Sequence, residues 1–584
     1  MSNNYISYLN SLHNLGAGGA NALAESQALN EYFTGLYEPF PIVDPLLKSL
    51  RNDQDKVIIL TGHAGDGKST VALDIYKNLS GLSASEPLSN PLKKLEVIES
   101  ANVSIVKDMS ELSTEDRQNW LTKAFQEDGS WLIVSNTGPL LQSLLKYSEG
   151  HSQSHQIESD ILESLSQDVN PSDLSEHTIK YFEKDLIILN LTRLDNVRLG
   201  AKLLNKITSH SGWSKCEECS ESKSCPIKRN QSALVSAGET PEQRVRWVYQ
   251  RLNAYEHRLT LRQIVAHIAL GITAGMSCEQ AKAGIGDTDS SGLEKVLFSE
   301  SFFGYKNGKV WPEAQNLHAI ALLHRELFGS PAGVEYDRLI TTDAGMGWAE
   351  IPEELRNLER LWQQTSSASS GLRWRYALRR LCYLFGTTKQ SETRKASLFL
   401  DNFLISEELR DFDEWQNAKK LTLSSKESRA LEKSCLSVLL EVFSGFSVGQ
   451  FKDHDKIYLT LRRSDKAVIQ PTQLIIKTLP FRDFRLQYCS RRSMPILSYD
   501  RDKAILPLSL PLLDYIKQRS SGELGTELSP IYQSQLDAFQ SALIRAGKSD
   551  SYDDEIELLQ TGVDGVVHLH RFVLDAENNS LEKL

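Results

Sequence analysis

Residues 57–70 read VIILTGHAGDGKST. The apolar run Val57–Leu60 predicts a buried strand ending at Thr61, and Val71, Ala72, Leu73, Ile75, Tyr76 and Leu79 follow with helical spacing. Between them, Gly62, His63, Ala64, Gly65, Asp66, Gly67, Lys68 and Ser69 spell G-x-x-x-x-G-K-[ST], with Thr70 behind. Strand, loop and helix in this order form the setting in which the pattern binds phosphate. Glycines let backbone N–H groups turn inward around phosphate oxygens, and the helix N-terminus adds positive potential. The expected ligand is ATP held by residues 62–70, with Lys68 reaching its β- and γ-phosphates and Ser69 ligating Mg²⁺.

Downstream, Leu95–Glu99, Val103–Lys107, Trp131–Ser135 and Leu186–Asn190 predict strands, with helical patterns between several of them. This alternation predicts a mainly parallel α/β sheet. The Ser-rich stretch 148–177 reads as a loop or helical insertion outside the core. The expected organisation is a helical preface (1–50), the nucleotide core (51–209), a cysteine-rich insertion (210–232), a helical lid (233–330), a helical domain (331–450) and a mixed C-terminal domain (451–584). SSASSG at 366–371 reads as a linker. Pro507 demotes the run Ala504–Leu510 to a sheet edge, and Val566–Leu574 reads as a closing strand.

Hydrolysis needs an acidic Mg²⁺ partner, a group that positions water, and positive charge near the transferred phosphoryl. Asp108 ends the run Val103–Lys107 and is the expected second Mg²⁺ ligand, with Glu111 the carboxylate that would polarise water. The same segment, DMSELSTED, also has helix-start chemistry, so both acids could be cap residues. Asn136 ends the strand 131–135 and resembles the sensor-1 position of AAA+-like enzymes, with Asn190 competing. Thr260 is an expected N-cap that places Arg262 in the first turn of a lid helix, within reach of phosphate like a sensor-2 arginine. Arg193 is a weaker choice for a finger acting across subunits. Together these readings give a P-loop NTPase fold of the AAA+-like, ASCE type. A helical lid and a mixed α+β C-terminal region complete it.

Cys216, Cys219 and Cys225 stand in C-x₂-C-x₅-C spacing, which can wrap one tetrahedral Zn²⁺ in a structural site. The expected fourth ligand is His210, with Cys278 and His257 as more distant options. Iron–sulfur ligation uses the same residues, but zinc is favoured.

The 584-residue chain carries 65 basic and 76 acidic residues, a net charge of -11, and so is not a general polyanion binder. Two segments pair arginine with aromatics and could hold nucleic acid: Arg373, Trp374, Arg375, Tyr376, Arg379 and Arg380, and Phe481 to Arg492. Buried aromatics with snorkelling arginine stems explain such patterns equally well. No apolar run approaches the ~18 residues of a membrane span, so no membrane association and a cytoplasmic location are expected. The polar start MSNNYISYLN is unlike a signal peptide.

The series TGHAGDGKST (61–70), VKDMSEL (106–112), LIVSNTGPLL (132–141), CEECSESKSCP (216–226) and HRLTLR (257–262) resembles the DptF-like ATPase subunit of DNA phosphorothioation-dependent restriction systems. The resemblance covers the first half well and the second half only in general pattern. It implies nucleotide binding by Gly62, Gly65, Gly67, Lys68, Ser69 and Thr70. It also implies a bacterial antiphage complex with helicase-like and accessory subunits, and a homo-oligomer is possible. The expected function is ATP hydrolysis that drives such a complex on DNA, without nuclease activity in this chain. The rivals are a nucleotide-gated scaffold with little turnover, suggested by the missing adjacent acidic pair after the Asp108 strand, and a P-loop kinase.

Overall fold

The run Val57–Leu60 becomes strand β1 (Lys56–Thr61), at the middle of a six-stranded sheet. Val57 and Ile59 enter one apolar cluster and Ile58 and Leu60 another, all fully buried. A strand covered on both faces reads as an unbroken apolar run, which is why no polar–apolar alternation marks it. The other strands are β2 (Leu95–Ile98), β3 (Val103–Val106), β4 (Ser130–Val134), β5 (Thr178–Ile179) and β6 (Asp185–Asn190), in the order β2-β3-β4-β1-β6-β5. β3, β4, β1 and β6 are parallel, and the edge strands β2 and β5 are antiparallel to their neighbours. The fold is therefore mixed α/β with a parallel-containing central sheet.

The computed structural model describes residues 2–583 apart from 14–29, 52–54, 84–87, 89, 91, 150–153, 168, 170–172, 286–296, 307, 330–348, 357–371, 390–392, 453, 462–471, 524–526, 548–554 and 576–579. The expected linker at 366–371 lies outside the described residues. The chain divides into two compact units, Met1–Ile405 and Ser406–Leu584.

In the first unit, helices Val43–Leu50 and Lys68–Leu79 cover one sheet face. Helices Thr114–Gln126, Thr137–Ser148 and Ser154–Ser166 cover the other. The last of these corrects the reading of 148–177 as lying outside the core. Its Ile157, Ile161 and Leu165 are buried against the sheet at helical spacing, beneath a mainly polar outer face. Beyond β6 the unit is mainly helical, with Asn196–Ser209, Pro226–Ser236, Thr240–Ala254, Leu261–Thr273, Leu372–Phe385 and Thr393–Leu404 beside two short two-stranded sheets. The N-terminal helix Asn4–His13 packs on Leu261–Thr273. One stretch, 261–283, is long and apolar enough to cross a membrane by length and composition, but half of its apolar window is buried inside the fold.

The second unit holds a five-stranded sheet (Lys456–Thr460, Thr472–Pro480, Glu555–Thr561, Val567–Asp575, Ser580–Lys583) and a three-stranded sheet (Phe484–Cys489, Met494–Tyr499, Ala504–Pro507). The expected boundary at 450/451 falls inside this unit, because helix Ser425–Ser444 packs on Lys456–Thr460. The Pro507 strand is an edge, as its missing N–H requires. Val567–Asp575 does not close its sheet, since Ser580–Lys583 pairs along its free side.

Candidate functional site

The loop 62–67 leaves the C-terminal end of β1 and enters helix Lys68–Leu79 at Gly67, whose φ of 88° is left-handed. A Cβ at Gly67 would stand 2.3 Å from Cζ of Phe40, so this position needs glycine for conformation and for space. Gly65, with φ of 92°, would bring a Cβ to 3.0 Å from Oγ1 of Thr260.

Lys68 is only 6 % exposed. Its Nζ donates to the carbonyls of Gly62 (2.9 Å) and His63 (2.8 Å) and to Oδ1 of Asn136 (3.0 Å). Burial pulls its ammonium below the usual lysine range, nearby Asp66 and Asp108 offset part of that, and Arg262 adds to it. Asn136 sits at the N-cap of helix Thr137–Ser148 but makes no side-chain cap bond there; its amide oxygen serves Lys68 instead. The competing Asn190 is a local cap. Its oxygen accepts from Thr192 and its amide donates to the Leu165 carbonyl.

A cavity of about 270 Å³ opens beside the loop. Ala64, Gly65, Gly67, Lys68, Ser69 and Thr70 line it, together with Asp108, Glu111, Asn136 and Arg262. Gly62, His63 and Asp66 are not in its wall. Asp66 is fully buried behind the loop, where it accepts from the His63 N–H (2.8 Å) and pairs with Arg258 (2.8 Å). Its expected contact with nucleotide is therefore replaced by a tie to the segment 257–262. That segment is built as its sequence implies. Thr260 and Gln263 form a capping box, Arg262 follows in the first turn, and its N–H points at the Gly65 carbonyl (3.4 Å).

Asp108 combines both of its expected characters. Its Oδ1 caps the turn Met109–Glu111 through the Ser110 N–H at 2.8 Å, yet the residue faces the cavity. Glu111 is exposed at the cavity wall. Arg193 is exposed and outside that wall.

Sequence reading missed the apolar half of the cavity. Tyr8 and Leu12 of the N-terminal helix face Leu199, Leu203 and Ile207 of helix Asn196–Ser209, with Leu36, Phe40, Leu261 and Val265 completing the lining. The cavity is thus polar at the glycine loop and apolar at the far end, a shape suited to a ligand with a charged tail and a flat apolar head. The signal available was the spacing of Tyr5, Tyr8, Leu9 and Leu12, which marks one helix face.

Comparison with protein-family models, with curated proteins and with solved structures finds no match. The functional reading therefore rests on the residues themselves.

The cysteine segment differs from expectation in its fourth partner. His210 accepts from the Gly212 N–H at its Nδ1 (2.9 Å), bonds the Tyr32 backbone, and stacks on Tyr5 at 4.5 Å. Both ring nitrogens are occupied by backbone, so His210 is a cap and packing residue and not a zinc ligand. Among the described residues, no three His, Cys, Asp or Glu side chains are gathered tightly enough to hold an ion as they stand.

The first arginine–aromatic segment is also corrected. Arg379 and Arg380 are 3 % and 4 % exposed. Arg380 pairs with buried Glu300 at 2.6 Å and lies over the Tyr305 ring, and Arg379 donates to the Gly329 carbonyl. The helix turns these cations into the protein, so they cannot meet nucleic acid. The side chains of Arg373 and Trp374 lie outside the described residues. In the second segment Arg482, Arg485, Arg491 and Arg492 are exposed, whereas Phe484 is buried.

Proposed function

We propose that the chain is a Mg²⁺-dependent ATPase of the P-loop, AAA+-like type. One observation carries the reading. Lys68 is a buried cation whose hydrogen bonds all go to carbonyl and amide oxygens, with no carboxylate bonded to it among the described residues, although Asp66 and Asp108 stand near. A buried ammonium without a bonded counter-charge is costly, and a phosphate anion at the loop offsets that cost. The sheet order adds support, because β4 stands between β1 and β3 as in ASCE-type folds, so Asn136 and Asp108 both open towards the loop.

In this reading the loop N–H groups and Lys68 hold phosphate, and the Ser69 hydroxyl with the Asp108 carboxylate would hold Mg²⁺. The ion, when bound, neutralises charge that develops on the phosphoryl oxygens. Asn136 keeps Lys68 aimed through its amide oxygen. Arg262 supplies positive charge from the lid helix, and Glu111 offers a carboxylate for the proton of an attacking water. The Asp66–Arg258 pair and the Arg262–Gly65 contact tie loop to lid, so a nucleotide that shifts the loop also shifts the helix.

The motif series at 61–70, 106–112, 132–141, 216–226 and 257–262 supports a place in a bacterial DNA restriction or antiphage complex. Helicase-like and accessory subunits would be the partners. A second reading, a nucleotide-gated scaffold, is favoured by buried Met109, which stands directly after Asp108 where a second acid would be expected. ATP turnover by purified protein, with and without duplex DNA, separates the two. Turnover lost in Lys68→Ala supports the ATPase, tight ATP binding without turnover supports the scaffold, and ATP binding unaffected by Lys68→Ala would sink both.

A further inference from the structure

We infer that Cys278 completes a four-thiolate zinc site with Cys216, Cys219 and Cys225, and that this site clasps the N-terminal segment through Asn3. Local spacing places three of the cysteines in one short segment, the fold carries the fourth to the same region, and the ion would draw the four sulfurs in. Helix Leu261–Thr273 ends at Ala274 in a left-handed conformation (φ 48°), the chain reverses, and the next helix opens at Cys278.

Asn3 shows where that helix start has arrived. Its Nδ2 donates to Sγ of Cys216 at 3.2 Å and its backbone N–H to Sγ of Cys278 at 3.4 Å. One residue bonded to both sulfurs puts them beside the same small region. Cys278 is also close enough to Cys225 for a charge on one to act on the other, as is Cys219. Cys219 is folded back on Cys216 by a turn, its N–H pointing at the Cys216 carbonyl (3.4 Å).

The donors around these sulfurs are a second and separate observation. Cys225 receives backbone N–H bonds from Ile227 and Lys228, at the start of helix Pro226–Ser236. With the two from Asn3, N–H donors reach three of the four sulfurs. Outer partners of this kind orient and tune ligands in metal centres. Four thiolates without a cation would repel one another, and a soft, tetrahedral Zn²⁺ at ~2.3 Å from each sulfur supplies the missing attraction. The chain's other cysteines do not compete. Cys382 is buried in the Leu372–Phe385 helix, and Cys435 and Cys489 belong to the second unit.

Metal analysis of the full-length protein, purified without chelator, tests this. About one zinc per chain is expected, lost in Cys278→Ser and retained in His210→Gln. Two measurements on the unmutated chain guard against misfolding of the variant. Titration with a mercurial should consume four thiols per zinc released, and the cobalt-substituted protein should show the spectrum of four sulfur ligands. Zinc-free protein whose thiols all react freely would overturn the site. Undiminished zinc in Cys278→Ser, or a three-sulfur, one-nitrogen cobalt spectrum, would overturn the ligand set.

Discussion

Lys68 and Arg380 are both cations removed from water, and they are neutralised in opposite ways. Arg380 has buried Glu300 at 2.6 Å. Lys68 has two carbonyls and one amide oxygen. In sequence each sat in a segment suited to phosphate. The partner decides the difference: a buried cation bonded to its own carboxylate is structure, whereas one bonded only to carbonyl and amide oxygens retains attraction for an outside anion.

The largest expected effect tests the structural side. Arg380→Met should cost about 3–5 kcal/mol, because Glu300 is left buried and unpaired. Urea unfolding measures this, and ATP affinity of the folded fraction should not change. A Glu300→Gln/Arg380→Met double variant should recover much of the loss; if it does not, the pair is not what holds those helices.

A third buried base sharpens the contrast by avoiding charge altogether. His267 is fully buried between the Tyr249 hydroxyl and the Phe302 carbonyl, and burial lowers its pKa to about 4. The unfolded chain takes up this proton below the ordinary value of ~6.5, and the folded chain resists it until about 4. Stability is therefore full above pH 6.5 and falls as the pH drops, by roughly 2 kcal/mol at pH 5 and roughly 3 kcal/mol once below pH 4. Unfolding curves at pH 7 and pH 5 should show this slope, and His267→Gln should lack its share.

On the functional side, Lys68→Met should weaken ATP binding by about 10- to 150-fold, the worth of a hydrogen bond to a charged group. Stability should hold or rise, since a costly buried cation is gone. A marked loss of stability instead would mean that Lys68 is structural like Arg380. The smallest effect belongs to Asp66→Asn, which keeps an acceptor for the His63 N–H but removes the charge facing Arg258. About 1 kcal/mol of stability should be lost, together with part of the nucleotide-dependent protection of the 257–262 segment in hydrogen exchange.

What the sequence made legible was local. The loop could be read because its conformation needs glycine at fixed places, and β1 because a doubly covered strand is apolar throughout. Arg262 could be placed because a capping box spans only four residues. Asn136 could be singled out because it ends a strand, but only the register of β4 beside β1 explains why its side chain serves Lys68 and that of Asn190 does not. The rest depended on distant partners. Arg380 resembled a surface cation until Glu300 was seen beneath it. His210 lay near the cysteines in sequence yet was claimed by Tyr5, Tyr32 and Gly212, and the apolar end of the cavity waited on a helix at the far end of the chain.

That helix has a consequence for how the protein is made. Leu12 and Leu261 meet in the same cavity wall. A ribosome adding ~5–20 residues per second needs roughly 12–50 s to travel from one to the other. Throughout that interval the buried face of Asn4–His13, with Tyr5, Ile6, Leu9 and Leu12, lacks helix Leu261–Thr273, and helix Asn196–Ser209, which meets Tyr8 and Leu12 in the cavity wall, is made only near its end. The helix thus waits on a partner made about 250 residues later, and a holding chaperone would meet its uncovered face in the meantime.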